Sequence, residues 1–67
     1  MQLRLNGQPI ETLCPTIREL LLDRGIDPEQ RGIAVAVNDE VILRAMWGEH
    51  PLGEGDDVEL ITAMQGG

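Results

Sequence analysis

With 67 residues the chain has room for one domain and a marginal core, because a fold of this size buries only about 60% of its unfolded surface. Its composition, 42% hydrophobic and 25% charged, is globular, and with no Phe, no Tyr and one Trp the core must be built from Leu, Ile, Val, Met and Ala. A net charge of −7 argues against nucleic acid, the lone Cys14 excludes an internal disulfide, and one Cys with one His leaves no metal cluster.

The first segment, MQLRLNGQPIE, has no apolar run long enough for a signal peptide or a membrane span, so a cytoplasmic, reduced setting without membrane attachment is expected. Leu3 and Leu5 alternate with polar residues, Asn6-Gly7 is the favoured two-residue turn, and Ile10 continues the alternation. This predicts a hairpin whose second strand, carrying Pro9, lies at a sheet edge. The stretch TIRELLLDRG then predicts a helix over residues 17–24. Thr16 and Glu19 form a capping box at its start, and Gly25 takes the left-handed cap at its end. Ile17, Leu20 and Leu21 share one face, and Arg24 suits the dipole of the last turn. IDPEQRG is a loop or a short turn of helix.

IAVAVN reads as a third strand, and Asn38-Asp39 turn the chain into a short fourth strand, EVIL. RAMWGEHPLGEGDD follows as an irregular connection with Trp47, Pro51 and three glycines, closing on a turn signal. The last strand, VELITAM, places Val58, Leu60, Thr62 and Met64 on one side and Ile61 and Ala63 on the other. Apolar residues on both sides predict a central strand, partly buried on its second face. The order β-β-α-β-β-β gives a two-layer α+β domain, a small mixed sheet covered by one helix.

No enzyme chemistry is legible in these residues. Cys14 stands just before the helix, but the only histidine, His50, belongs to a distant loop and no pairing can be argued. Cys14 is read as a small, partly buried apolar residue and His50 as an ordinary loop residue. The carboxylates have no spacing that implies an acid–base pair, and neither glycine-containing turn resembles a phosphate loop. All five basic residues are arginine, and from Asp39 onward seven acidic side chains face only Arg44. That asymmetry predicts a partner with a basic face.

What remains is the end of the chain, Gln65-Gly66-Gly67. A terminal carboxylate is a poor electrophile until activated, and activation as an acyl-adenylate makes it an acyl donor. Glycine at the reacting carbonyl offers no side chain to block attack, and two in a row let a thin extended tail enter a narrow channel.

Over its full length the chain resembles the ubiquitin-like β-grasp sulfur carriers, most closely those of thiamin (thiazole) biosynthesis. The residues that carry the resemblance are the LNG hairpin, TIRELL, VAVNDEVILRAMW, LGEGDDVELI and the terminal Gly66-Gly67. Leu43 stands where these carriers commonly have proline, and Gln65 where a third glycine or another small residue is frequent. The resemblance implies a single β-grasp domain, 1–67, with first and last strands adjacent and parallel and a flexible GlyGly tail. It implies a protein cosubstrate that is not itself an enzyme and is monomeric alone. An ATP-dependent adenylating enzyme would activate the Gly67 carboxylate, a sulfur donor protein would convert it to a thiocarboxylate, and thiazole synthase would take the sulfur. The carrier would bind no cofactor or metal, ATP being used by its partner. Gly66, Gln65 and Met64, with Arg44 and Trp47 of the family run, would meet the partner, although Trp47 equally suits the core. The molybdopterin synthase small subunit shares fold and tail, and a ubiquitin-like protein modifier or a pure binding module would look similar.

Overall fold

A computed structural model describes residues 1–62. Residues 63–67, and with them the expected flexible tail and the end of the last expected strand, lie outside the described residues. The elements are β1 (Gln2–Leu5), β2 (Gln8–Glu11), α1 (Ile17–Asp23), β3 (Ile33–Val37), β4 (Glu40–Ile42), a 3-10 turn (Arg44–Met46) and β5 (Asp57–Thr62). They form one five-stranded sheet in the order β2-β1-β5-β3-β4. β1 and β5 are parallel, with Leu5 opposite Val58, and every other pairing is antiparallel. The first and last strands are therefore neighbours, β5 is central, and the strand containing Pro9 is an edge, as expected.

Local chemistry accounts for the element ends. Asn6 and Gly7 both have positive φ, as do Asn38 and Asp39, the condition for hairpin turns whose twist matches that of the strands. Thr16 Oγ1 accepts the Glu19 N–H at 3.3 Å and so occupies one orphan donor of the helix. At the other end Ile26 N–H donates to Leu21 O and Gly25 N–H to Leu22 O, the two bonds of a Schellman cap, with Gly25 at φ +76. The helix is shorter than its periodicity suggests. It has seven residues, about two turns, and Arg24 is its cap rather than a member of its last turn.

Ile17, Leu20 and Leu21 of α1, each no more than 2% exposed, pack on the inward residues Leu3, Val35, Val37 and Val58. Burial of each is worth about 1.5–3 kcal/mol. Helix and sheet alone would leave the β4 side open. Trp47 and Leu52, from the segment after β4, fill that side and complete the core.

Two side-chain links bind the turns to the central strand. Asn6 Oδ1 accepts the Leu60 N–H at 2.8 Å, and Asn38 Oδ1 accepts the Asp57 N–H at 3.0 Å. Each asparagine thus forms a turn and extends the hydrogen bonding of β5 by one step.

Candidate functional site

The site of interest is the end of the sheet where β5 runs out. Thr62, its last described residue, lies opposite Ile33, the first residue of β3. β4 also finishes here, since Ile42 lies opposite Val35 and Leu43 follows it. Everything beyond Thr62 therefore sets out from a corner made by the start of β3, the end of β4 and the loop 26–32. The proposed reactive residues Gly67, Gly66, Gln65 and Met64 lie outside the described residues.

Trp47 and Arg44 are both placed, and they touch. Trp47 is 2% exposed, and its Nε1–H donates to Ile42 O at 2.8 Å. It is a core residue, the largest one available to a chain with no other aromatic, and it has no surface to offer a partner. Of the two readings that the sequence leaves open for Trp47, its burial favours the core. The Arg44 guanidinium lies 4.8 Å from the centre of the Trp47 ring. It donates to two loop carbonyls, Pro28 O through Nη1 and Gln30 O through Nη2, the latter at 2.7 Å. Two of its three nitrogens are already committed within the protein.

Sheet alternation leaves a second surface that the sequence reading missed. On the face away from α1, Val41, Ala36 and Glu59 lie in one row across β4, β3 and β5. Ala34 and Ile61 begin the next row, and Leu43, one residue past β4, has the parity to join it. Val41 is 69% exposed, Leu43 71% and Ile61 55%. The sequence pattern puts Ile61 on the strand's second, partly buried face, but that face of the sheet carries no helix and Ile61 is exposed. Val58 is fully buried and Leu60 half-buried, as expected. The signal available in the sequence was the apolar run VIL on a short edge strand, where one face must point to solvent. Exposed apolar side chains gathered on one sheet face make a candidate interaction surface, and this one borders the exit corner.

Cys14 is half-buried in the loop between β2 and α1, beside Glu11, Glu19 and Asp23, with its N–H donating to Thr12 Oγ1 at 3.0 Å. His50 lies in another loop, its N–H donating to Met46 O at 2.8 Å. Among the described residues no three His, Cys, Asp or Glu side chains come together as a metal site. No described helix is long and apolar enough to cross a membrane.

Comparison with known proteins agrees with this geometry. Residues 3–67 match the model of the ThiS family. The sulfur carrier protein ThiS of Thermus thermophilus is 40% identical over 63 residues, covering 94% of this chain and 95% of that one. The sulfur carrier protein ThiS of Escherichia coli is 32% identical over 68 residues, the whole of both chains. Among solved structures, the crystal structure of the thiamine biosynthesis protein ThiS from Geobacter metallireducens superposes with a TM-score of 0.82 at 28% identity, over all of both chains. The mixed five-stranded sheet with its one helix is thus the ubiquitin-like β-grasp of those structures.

Proposed function

The chain belongs to the ThiS family, and from that premise we propose that it is a sulfur carrier of thiamin biosynthesis whose C-terminal Gly67 carboxylate does the chemistry. The observation that carries this reading is the extent of the family match, which runs through Gly67. The Gly66-Gly67 end stands four and five residues beyond Thr62 of the central strand.

The chemistry follows from the electrophile. The Gly67 carboxylate attacks the α-phosphate of ATP in the site of an adenylating enzyme, forming an acyl-adenylate and releasing pyrophosphate. A persulfide on a donor protein attacks the acyl carbon and expels AMP, forming an acyl disulfide. A thiol of the partner machinery then cleaves its S–S bond, forming a disulfide with the donor sulfur as the terminus leaves as a thiocarboxylate. Thiazole synthase then takes that sulfur into the thiazole ring. The carrier contributes no acid, base or cofactor. It supplies a glycine at the reacting carbonyl and a tail thin enough for a channel. It also supplies a rigid body that brings both to a partner's nucleotide site, where an error of about 1 Å can cost 10²-fold. The apolar patch of Val41, Leu43 and Ile61 is the docking surface beside that tail, and Gln65 and Met64 enter the channel.

The test is the intact mass of protein purified from its own cells. A population heavier by the exchange of one oxygen for sulfur, mapped to Gly67, is the expected result. Covalent attachment of the terminus to other proteins would instead indicate a modifier.

A further inference from the structure

The loop 26–32 joins α1 to β3 without regular secondary structure; besides an exposed ion pair of Glu29 with Arg18 of α1 at 3.6 Å, it is held from within and by Arg44. From within, Asp27 Oδ1 accepts the Glu29 N–H at 2.9 Å and Asp27 O accepts the Gln30 N–H at 3.0 Å. From outside, the Arg44 guanidinium bridges the carbonyls of Pro28 and Gln30 while lying over Trp47. Trp47 is itself fixed, through Nε1 to Ile42 O and through its carbonyl, which accepts the Arg18 N–H at 3.0 Å. Arg44 therefore clamps an otherwise irregular loop to the core's one aromatic anchor. The loop ends at Gly32, φ +81, and hands the chain to Ile33, the partner of Thr62.

Resting on the carrier reading, we infer that Arg44 is a positioning residue for the adenylation of Gly67. It fixes loop 26–32, the loop fixes the first residue of β3, and Ile33 fixes the point from which the residues after Thr62 set out. Arginine suits this task because its planar fork reaches two carbonyls at once while its face lies on a ring, whereas lysine presents a single point charge. This role differs from the direct partner contact that the resemblance implies. The two carbonyl bonds fix the guanidinium against the loop and leave it three further N–H donors, so the two roles are separated by the behaviour of the loop itself.

The kinetic consequence is specific. If the starting point of the tail wanders, the fraction of carrier molecules presented correctly falls, and apparent affinity falls by the same fraction. Chemistry in the seated complex is unchanged, so KM rises while kcat holds. A second prop of the same loop must then give the same effect, although it stands on the loop itself and not on the clamp.

The experiment measures carrier-dependent ATP–pyrophosphate exchange with the cognate adenylating enzyme for Arg44→Ala, Arg44→Lys and Asp27→Ala. Amide hydrogen exchange over residues 30–34 and 61–62 is followed in the isolated proteins. The expected result is a KM raised about three- to tenfold in all three at unchanged kcat, with faster amide exchange in both segments. Should Arg44→Ala fail to fold, Arg44→Lys and Asp27→Ala carry the test. A raised KM for the Arg44 variants beside wild-type behaviour of Asp27→Ala would mean that Arg44 acts by touching the partner, and the inference fails. Unchanged KM throughout, or a loss confined to kcat, overturns it too. Absence of exchange with the unaltered chain would instead remove the carrier reading on which it rests.

Discussion

Asn6 and Leu60 are 54 positions apart in the chain, and Asn6 Oδ1 accepts the Leu60 N–H at 2.8 Å. β1 stops at Leu5, where the hairpin turns away, so β5 would lose its neighbour on that side at this point. The side chain of the turn residue takes the place of the missing strand. Asn6→Gly keeps the positive φ and removes only this link, and because the site is exposed water can take the freed donor, so the cost is about 0.5–1.5 kcal/mol. In a domain of this size the melting temperature is expected to fall by about 2–10 °C. Asn6→Ala adds left-handed strain and should fall further. Thermal melts of both variants check the order.

Trp47 holds the β4 side of the core and supports the Arg44 clamp. Trp47→Ala removes a buried aromatic at a cost of about 3–5 kcal/mol, against a total stability of roughly 3–10 kcal/mol for a chain of this length. That variant is expected to be largely unfolded at 37 °C, and Trp47→Phe folded but less stable. Urea titration followed by circular dichroism separates them. In the unaltered protein the single indole also reports directly, since its emission should shift to the red on unfolding.

The open sheet face should matter for partners and not for folding. Leu43→Asp and Ile61→Asp place charge on side chains that are 71% and 55% exposed. Leu43 stands outside β4, so its change is expected to move stability by about 0.5 kcal/mol or less, and the Ile61 change somewhat more for its place in a strand. In the exchange assay each should raise KM about tenfold or more, as loss of an interface anchor does. Wild-type KM with either variant would mean that the partner docks elsewhere.

Deletion of Gly67 tests the chemistry itself. The terminus then falls short by one residue, about 3.5 Å of extended chain. Exchange is expected to collapse, while the melting curve stays within about 0.5 kcal/mol of the parent. Gly67→Ala should be milder, because the added methyl crowds the carbonyl without moving it. Undiminished exchange by the truncated chain would leave the terminus without a role.

The features legible in the sequence were those with short-range causes. Asn6-Gly7, the Thr16 cap, the Gly25 cap and the alternation of Ile33, Val35 and Val37 act within a few residues, and each is where its pattern placed it. The pairing of β1 with β5 came from family resemblance, because nothing local specifies which strands meet across 50 intervening residues. Alternation also states that a strand has two faces without stating which one a helix will cover. Ile61 was misplaced for that reason. Arg44 shows the same limit from another side, since no local pattern tells that its guanidinium holds the carbonyls of Pro28 and Gln30, 16 and 14 residues back in the chain. The 3-10 turn at Arg44–Met46 carried no periodic signal and was expected only as irregular chain.

The central place of β5 has a consequence for how the protein could be rebuilt. Apart from β5, the sheet consists of two separate hairpins, β1-β2 and β3-β4, each presenting one edge toward the empty slot. A chain opened at the exposed Glu54-Gly55 turn would keep α1 and both hairpins on one fragment, and the strand with the terminus on the other. Strand addition to paired edges is a standard mode of peptide recognition. The smaller fragment is therefore a natural candidate for chemical synthesis, with an oxygen or a sulfur already chosen at its last carbonyl, and for complementation of the larger one without any activating enzyme.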